Sequence, residues 1–152
     1  MSTSQLQQTM ATLRMSLAEI EHKERQLGAM ISQFRTQARR LPRQFIYGQT
    51  TLDASISAMG EIEERLADAL ANQRRLTTIK KALTDELVAL ESVKQVSEAR
   101  HTLGDLKRRR STSGEDSGTE TEIRRLEQFI AEHSKRAEQV ITERYEERTQ
   151  EP

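Results

Sequence analysis

Cysteine and tryptophan are absent from this chain, and only two of its 152 residues are proline. Without a thiol there is no disulfide staple, no cysteine-based zinc site and no thiol nucleophile. Three Phe and two Tyr are the only aromatics, so the bulky material of a thick core is missing. Six Gly and two Pro interrupt so little that long helices can run unbroken. No stretch approaches ~18 apolar residues, the length expected of a bilayer-spanning helix. Met1-Ser2-Thr3-Ser4-Gln5 shows no basic start followed by an apolar run, so no signal peptide is expected. These absences lead to the expectation of an intracellular protein, cytoplasmic or nuclear.

What is present is charge. Hydrophobic residues make up 34% of the chain, against a globular norm nearer ~45–50% on a count that includes Gly. Charged residues make up 32%, above the usual ~25%. Net charge is zero but comes in blocks. Residues 1–50 hold 7 Lys/Arg against 3 acids (+4), and residues 51–92 hold 5 against 8 (−3). Residues 93–110 hold 6 against 2 (+4), and residues 111–152 hold 6 against 11 (−5). Alternating blocks suit consecutive helices folded against one another, with exposed pairs selecting register more than adding stability.

The apolar residues of the first block step by four and three. Leu6, Met10, Leu13, Leu17, Ile20, Leu27, Ile31, Phe34, Ala38 and Leu41 form one stripe, the signature of a helix that holds another helix. Ser4-Gln5-Leu6-Gln7 reads as a capping box at its start. Pro42 follows the last stripe residue and disfavours a helical conformation at its predecessor, so the expected first helix is about 4–41. Glu24 takes a stripe position; its stem is expected to lie on the seam with its head reaching solvent.

A second helix is expected over about 51–107, with Asp53 helping its cap. Its apolar positions run from Leu52 and Ile56 to Leu103 and Leu106. Their mean spacing is nearer 3.6 than 3.5, which favours a wide apolar face that touches helices on more than one side. Gly60 and Asn72-Gln73-Arg74-Arg75 are its weak points. Residues 109–119 combine Ser, Thr, Gly and charge with no apolar residue, the composition of a disordered loop. Thr119-Glu120-Thr121-Glu122 reads as a second capping box, followed by a helix over about 120–148. Its stripe is Ile123, Leu126, Ile130, Ala137 and Val140, with His133 in the missing position.

The expected fold is therefore all-α: an elongated antiparallel helical hairpin or coiled coil of three helices. Residues 1–108 would form the hairpin, and residues 120–152 would pack back on helix 2. The connections let helix 1 cover the first two thirds of helix 2 and helix 3 its last half.

The sequence carries little chemistry. His22, His101 and His133 have no metal-ligand spacing around them, and there is no glycine-rich phosphate loop. No catalytic residue, metal, cofactor or small-molecule substrate is expected, and the chain is read as a non-enzyme. Interaction is the better-supported theme. The seam (Leu6, Leu13, Leu17, Ile20, Leu27, Ile31, Phe34, Leu41) offers a surface for a helix, within the chain or in a homo- or hetero-oligomer. Arg39, Arg40, Arg43, Phe45, Ile46 and Tyr47 cluster around the 42–49 connection, and Arg and aromatics dominate interface hot spots. That tip either docks an acidic protein or plugs the end of the helix pair. Lys107-Arg108-Arg109-Arg110 before Ser111 has the pattern of a basophilic kinase site, and Ser113 and Ser117 have that of acidophilic ones. The leading expectation is an adaptor or scaffold subunit of a larger complex of the tethering, cytoskeletal, kinetochore or autophagy type. The alternatives are a helical holdase, or a binder of anionic membranes or nucleic acid acting through basic segments.

Overall fold

The computed structural model describes residues 3–113 and 117–150, and within these the side chains of 113, 117, 140, 141 and 143–150 are left aside. It is all-α, with three helices and no strand among the described residues: α1 (Thr3–Ile46), α2 (Leu52–Ser113) and α3 (Ser117–Gln150). No helix is long and apolar enough to cross a membrane among the described residues.

The main departure from expectation is at Pro42, which lies inside α1 rather than ending it. Proline has no N–H to give Ala38 O, so the helix passes through Pro42 one hydrogen bond short, while the carbonyls of Arg43, Gln44 and Phe45 beyond it accept from Tyr47, Gln49 and Gly48. The stop comes at Gly48, which adopts φ 71°. Gln49 N–H donates to Gln44 O at 2.8 Å and Gly48 N–H to Phe45 O at 2.9 Å. This pair of reversed bonds is a Schellman cap, and the left-handed residue it requires is the reason a glycine sits there. Residues 42–46 of the expected connection therefore belong to the helix. The turn is only 47–51.

α2 begins as its sequence suggests. Thr51 is the N-cap: Ala54 N–H donates to its Oγ1 at 3.2 Å, and Ser55 N–H to its carbonyl at 3.0 Å. Asp53 lies in the first turn, where a carboxylate suits the helix dipole. The helix passes through Asn72–Arg75 without a break. Local side-chain bonds span that polar stretch: Arg75 Nη1 donates to Asn72 Oδ1 at 2.8 Å, and the Thr77 hydroxyl to Gln73 O at 3.0 Å. The stretch 109–119, expected as a disordered loop, is largely helical. α2 continues to Ser113 and α3 starts at Ser117, two residues before the expected cap; residues 114–116 lie outside the described residues.

The chain divides into two compact units, one of Met1–Leu13 with Thr84–Pro152, the other of Arg14–Leu83. The second is a two-helix hairpin of α1 from Arg14 and α2 to Leu83. Its core is thin: Ile20, Leu27, Ile31, Ile62 and Ala69 are the buried apolar residues, flanked by half-buried Leu17, Phe34, Ala38, Leu41, Leu66 and Leu76. The seam residues of α1 thus face inward throughout. On α2 the facing seam is Leu52, Ser55, Met59, Ile62, Leu66, Ala69, Gln73, Leu76, Lys80 and Leu83, in strict steps of three and four. Three of these are polar, so a count of apolar residues alone returned the longer mean spacing and missed the heptad register.

Glu24 and Lys80 occupy facing seam positions. Glu24 Oε1 lies 2.9 Å from Lys80 Nζ, is shielded from solvent and makes no further hydrogen bond. The Glu24 head is turned to its partner helix instead of to solvent. The Glu24 contact raises the Lys80 ammonium above its ordinary pKa of 10.5.

The other unit has three helical segments. Leu6, Met10 and Leu90 form its buried cluster, with Leu13, Leu87 and Val93 packed against them. Val96, Ala99, Ile123 and Ala137 are buried as well. Buried Leu90, Val96 and Ala99 and half-buried Val93 step by three. Each such step turns the stripe by about 60° against the helix's 3.6-residue period, so α2's apolar face widens as expected, serving α1 and α3. Contacts between α2 and α3 are ionic at their edge: Arg110 Nη1 to Glu120 Oε1 at 2.9 Å, and Lys107 Nζ to Glu127 Oε1 at 3.2 Å.

Candidate interaction surface at the hairpin turn

The residues nearest the turn of the hairpin unit are apolar and uncovered. Phe45 is 41% exposed, Ile46 71%, Tyr47 78%, Leu52 54% and Ile56 61%. Two of them, Phe45 and Leu52, continue the seams of α1 and α2 past the last layer that the hairpin closes. A plug would bury these side chains; Ile46 and Tyr47 stand out into solvent. Single exposed apolar residues are ordinary, but five within twelve positions make a patch.

Behind the patch lies unopposed positive charge. From Arg25 to Leu52 the chain has five Arg and no acid. Arg35, Arg39, Arg40 and Arg43 are all exposed, and none has a carboxylate within ion-pair distance among the described residues. At about 100° per residue, these four and Ile46 and Tyr47 span an arc of roughly 140° outside the α1 seam, with Arg35, Ile46 and Arg39 on the flank nearer the seam and Arg43, Tyr47 and Arg40 opposite it. Of the expected tip, Arg39, Arg40, Arg43, Ile46 and Tyr47 lie on this arc, whereas Phe45 lies on the seam side. Sequence reading missed Leu52 and Ile56, which it assigned to the α2 core. The signal available was their place at the start of a helix just after a tight turn, beyond most of the α1 seam.

The basic run 107–110 behaves differently. Lys107 and Arg110 hold α3 carboxylates, Arg108 pairs with Asp105, and Arg109 has a partner too. The Ser111 hydroxyl donates to Arg108 O at 2.8 Å on an exposed helical turn. The Ser113 and Ser117 side chains lie outside the described residues, as does that of Val140. Among the described residues no group of three His, Cys, Asp or Glu is placed to hold a metal ion. His22 meets Gln26 at 3.1 Å, His101 lies 3.5 Å from Asp105, and half-buried His133 packs on Phe129 with ring centroids 4.4 Å apart.

No protein-family model, curated protein or solved structure matches this chain.

Proposed function

We propose that this chain is a non-enzymatic coiled-coil interaction protein, an adaptor or scaffold subunit that docks an acidic protein at the turn of its hairpin unit. The observation that carries this reading is the pairing of four arginines that meet no carboxylate among the described residues with exposed Ile46 and Tyr47 on the outer arc of α1. Desolvated Arg and aromatic side chains supply most of the energy at protein interfaces, and rim charges set on-rate and partner choice. The basic run at 107–110 is a weaker candidate because its charges are met inside the chain.

Co-purification of the full chain from its native cell tests the proposal. A partner should be recovered in fixed stoichiometry, and recovery should fall as salt is raised. The Arg39→Glu/Arg43→Glu/Tyr47→Ala variant should lose that partner while keeping its far-ultraviolet circular dichroism. Undiminished recovery by the variant would sink the proposal, as would promiscuous suppression of client aggregation in place of a defined partner.

A further inference from the structure

We infer that the hairpin unit receives a third helix from its partner, an amphipathic helix with carboxylates along one edge, laid in the groove between α1 and α2 near the turn. This rests on the docking role proposed above and names the form its partner takes.

The groove follows from the register of the two seams. In antiparallel helices, the residue just after a seam position that precedes a four-residue step lies on the same side of the pair in both strands. On α1 those residues are Arg35 and Pro42, and on α2 they are Ile56 and Glu63. Ile46 and Leu52 extend this side toward the turn. Gly60, next to seam residue Met59, has nothing within 4 Å of where a Cβ would sit, so a neighbouring backbone can approach closely there. The floor is therefore Pro42, Ile46, Leu52 and Ile56, all exposed. Arg35 and Arg39, one heptad from Pro42 and Ile46 at the same register positions, continue the α1 side of the groove away from the turn as its basic rim.

Charge selects the occupant. The α1 rim is basic, whereas the α2 side carries Asp53 and Glu63, neither of them in an ion pair among the described residues. A nucleic acid or an anionic membrane is negative throughout and would meet those two carboxylates as well as the arginines. A helix with acids on one edge only satisfies the α1 rim and leaves the α2 side unopposed. The chain contains an example of this arrangement: Glu120 and Glu127, two turns apart on one edge of α3, meet Arg110 and Lys107. Apolar positions at helical spacing then fill the floor, as in other helix-in-groove complexes.

A displayed library of random peptides, selected on the full chain, tests the inference. The selected sequences should combine apolar residues at i, i+3 and i+4 with Asp or Glu on one edge. A representative peptide should gain helicity on binding. Arg35→Glu/Arg39→Glu and Ile46→Asp/Ile56→Asp should each weaken it by about tenfold or more; all four positions are exposed, so both variants should keep wild-type circular dichroism. Acidic peptides without helical spacing, or ones indifferent to Ile46→Asp/Ile56→Asp, would overturn the third helix and leave the docking role standing. Failure to enrich any peptide, with phosphatidylserine vesicles binding instead, would overturn both. Displacement of the peptide by a synthetic 117–150 segment would make the occupant a second copy of this chain and overturn a foreign partner.

Discussion

The two units of this protein meet the same requirement, a narrow apolar stripe on every helix, with different amounts of helix. In the unit built from 1–13 and 84–152, α2 has neighbours in both α1 and α3, and its basic edge is answered by Glu120 and Glu127. In the unit of 14–83, two helices share one seam, five large apolar side chains at the turn are exposed, and four arginines have no partner among the described residues. A basic helix edge is thus a binding device already used once inside the molecule. Where the chain supplies the third helix the device is filled. Where it does not, the same chemistry faces solvent.

The comparison can be broken most directly in the cores. Leu90→Ala, at a position 2% exposed, should cost about 2–5 kcal/mol, read as a lower urea midpoint at unchanged slope. Ile56→Ala, at the open turn, should shift that midpoint by under about 0.5 kcal/mol. Equal losses at the two would show that the turn is as tightly packed as the three-helix unit. Next in size is Gly48→Ala. Its left-handed φ should make the change cost about 1–2 kcal/mol, measured as a lower melting temperature. An unchanged melting temperature would mean that the α1 stop does not depend on the Schellman cap.

Smaller effects separate the two basic edges. Arg110→Ala removes a half-exposed ion pair and should cost about 0.2–1 kcal/mol, an effect that fades at high salt. Arg39→Ala has no such partner to lose and should leave stability unchanged while weakening partner capture. A stability loss at Arg39 would mean that it is used within the chain. The smallest expected effect concerns Lys80. Its pKa is raised in the folded state chiefly by Glu24. The stabilisation is therefore complete below the unfolded pKa of about 10.4 and disappears as pH climbs through the raised folded value. Glu24→Gln should flatten the fall in melting temperature above about pH 10.5. An unaltered alkaline limb would remove the pair from the stability of the hairpin.

Much of the fold was legible before any coordinates. The α1 seam is carried by ten apolar residues in unbroken register, and a stripe that narrow permits only a helix packed on a helix. Thr51 and Asp53 announced the α2 start because a hydroxyl and a carboxylate answer free N–H groups in any context. The α2 seam was harder to read, because Ser55, Gln73 and Lys80 occupy positions that an apolar count skips. Pro42 misled for a related reason: the hydrogen bond it denies Ala38 O is a local cost, whereas the seam and the cap at Gly48 hold the helix past it. The tip was legible as a composition, with Arg and aromatics side by side, but composition cannot distinguish a plug from a docking surface.

Sequence alone determined the elements: three helices, their approximate ends, and the stripe by which α1 holds α2. Those follow from interactions within a few residues, such as caps, periodicity and the scarcity of glycine and proline. Only tertiary structure decided which charges are answered and which apolar residues are covered. Glu24 found Lys80, and Lys107 and Arg110 found α3, while Arg35, Arg39, Arg40 and Arg43 found no carboxylate among the described residues. An ion pair or a buried contact depends on what lies opposite, and the residue opposite is set by how two distant stretches of chain align.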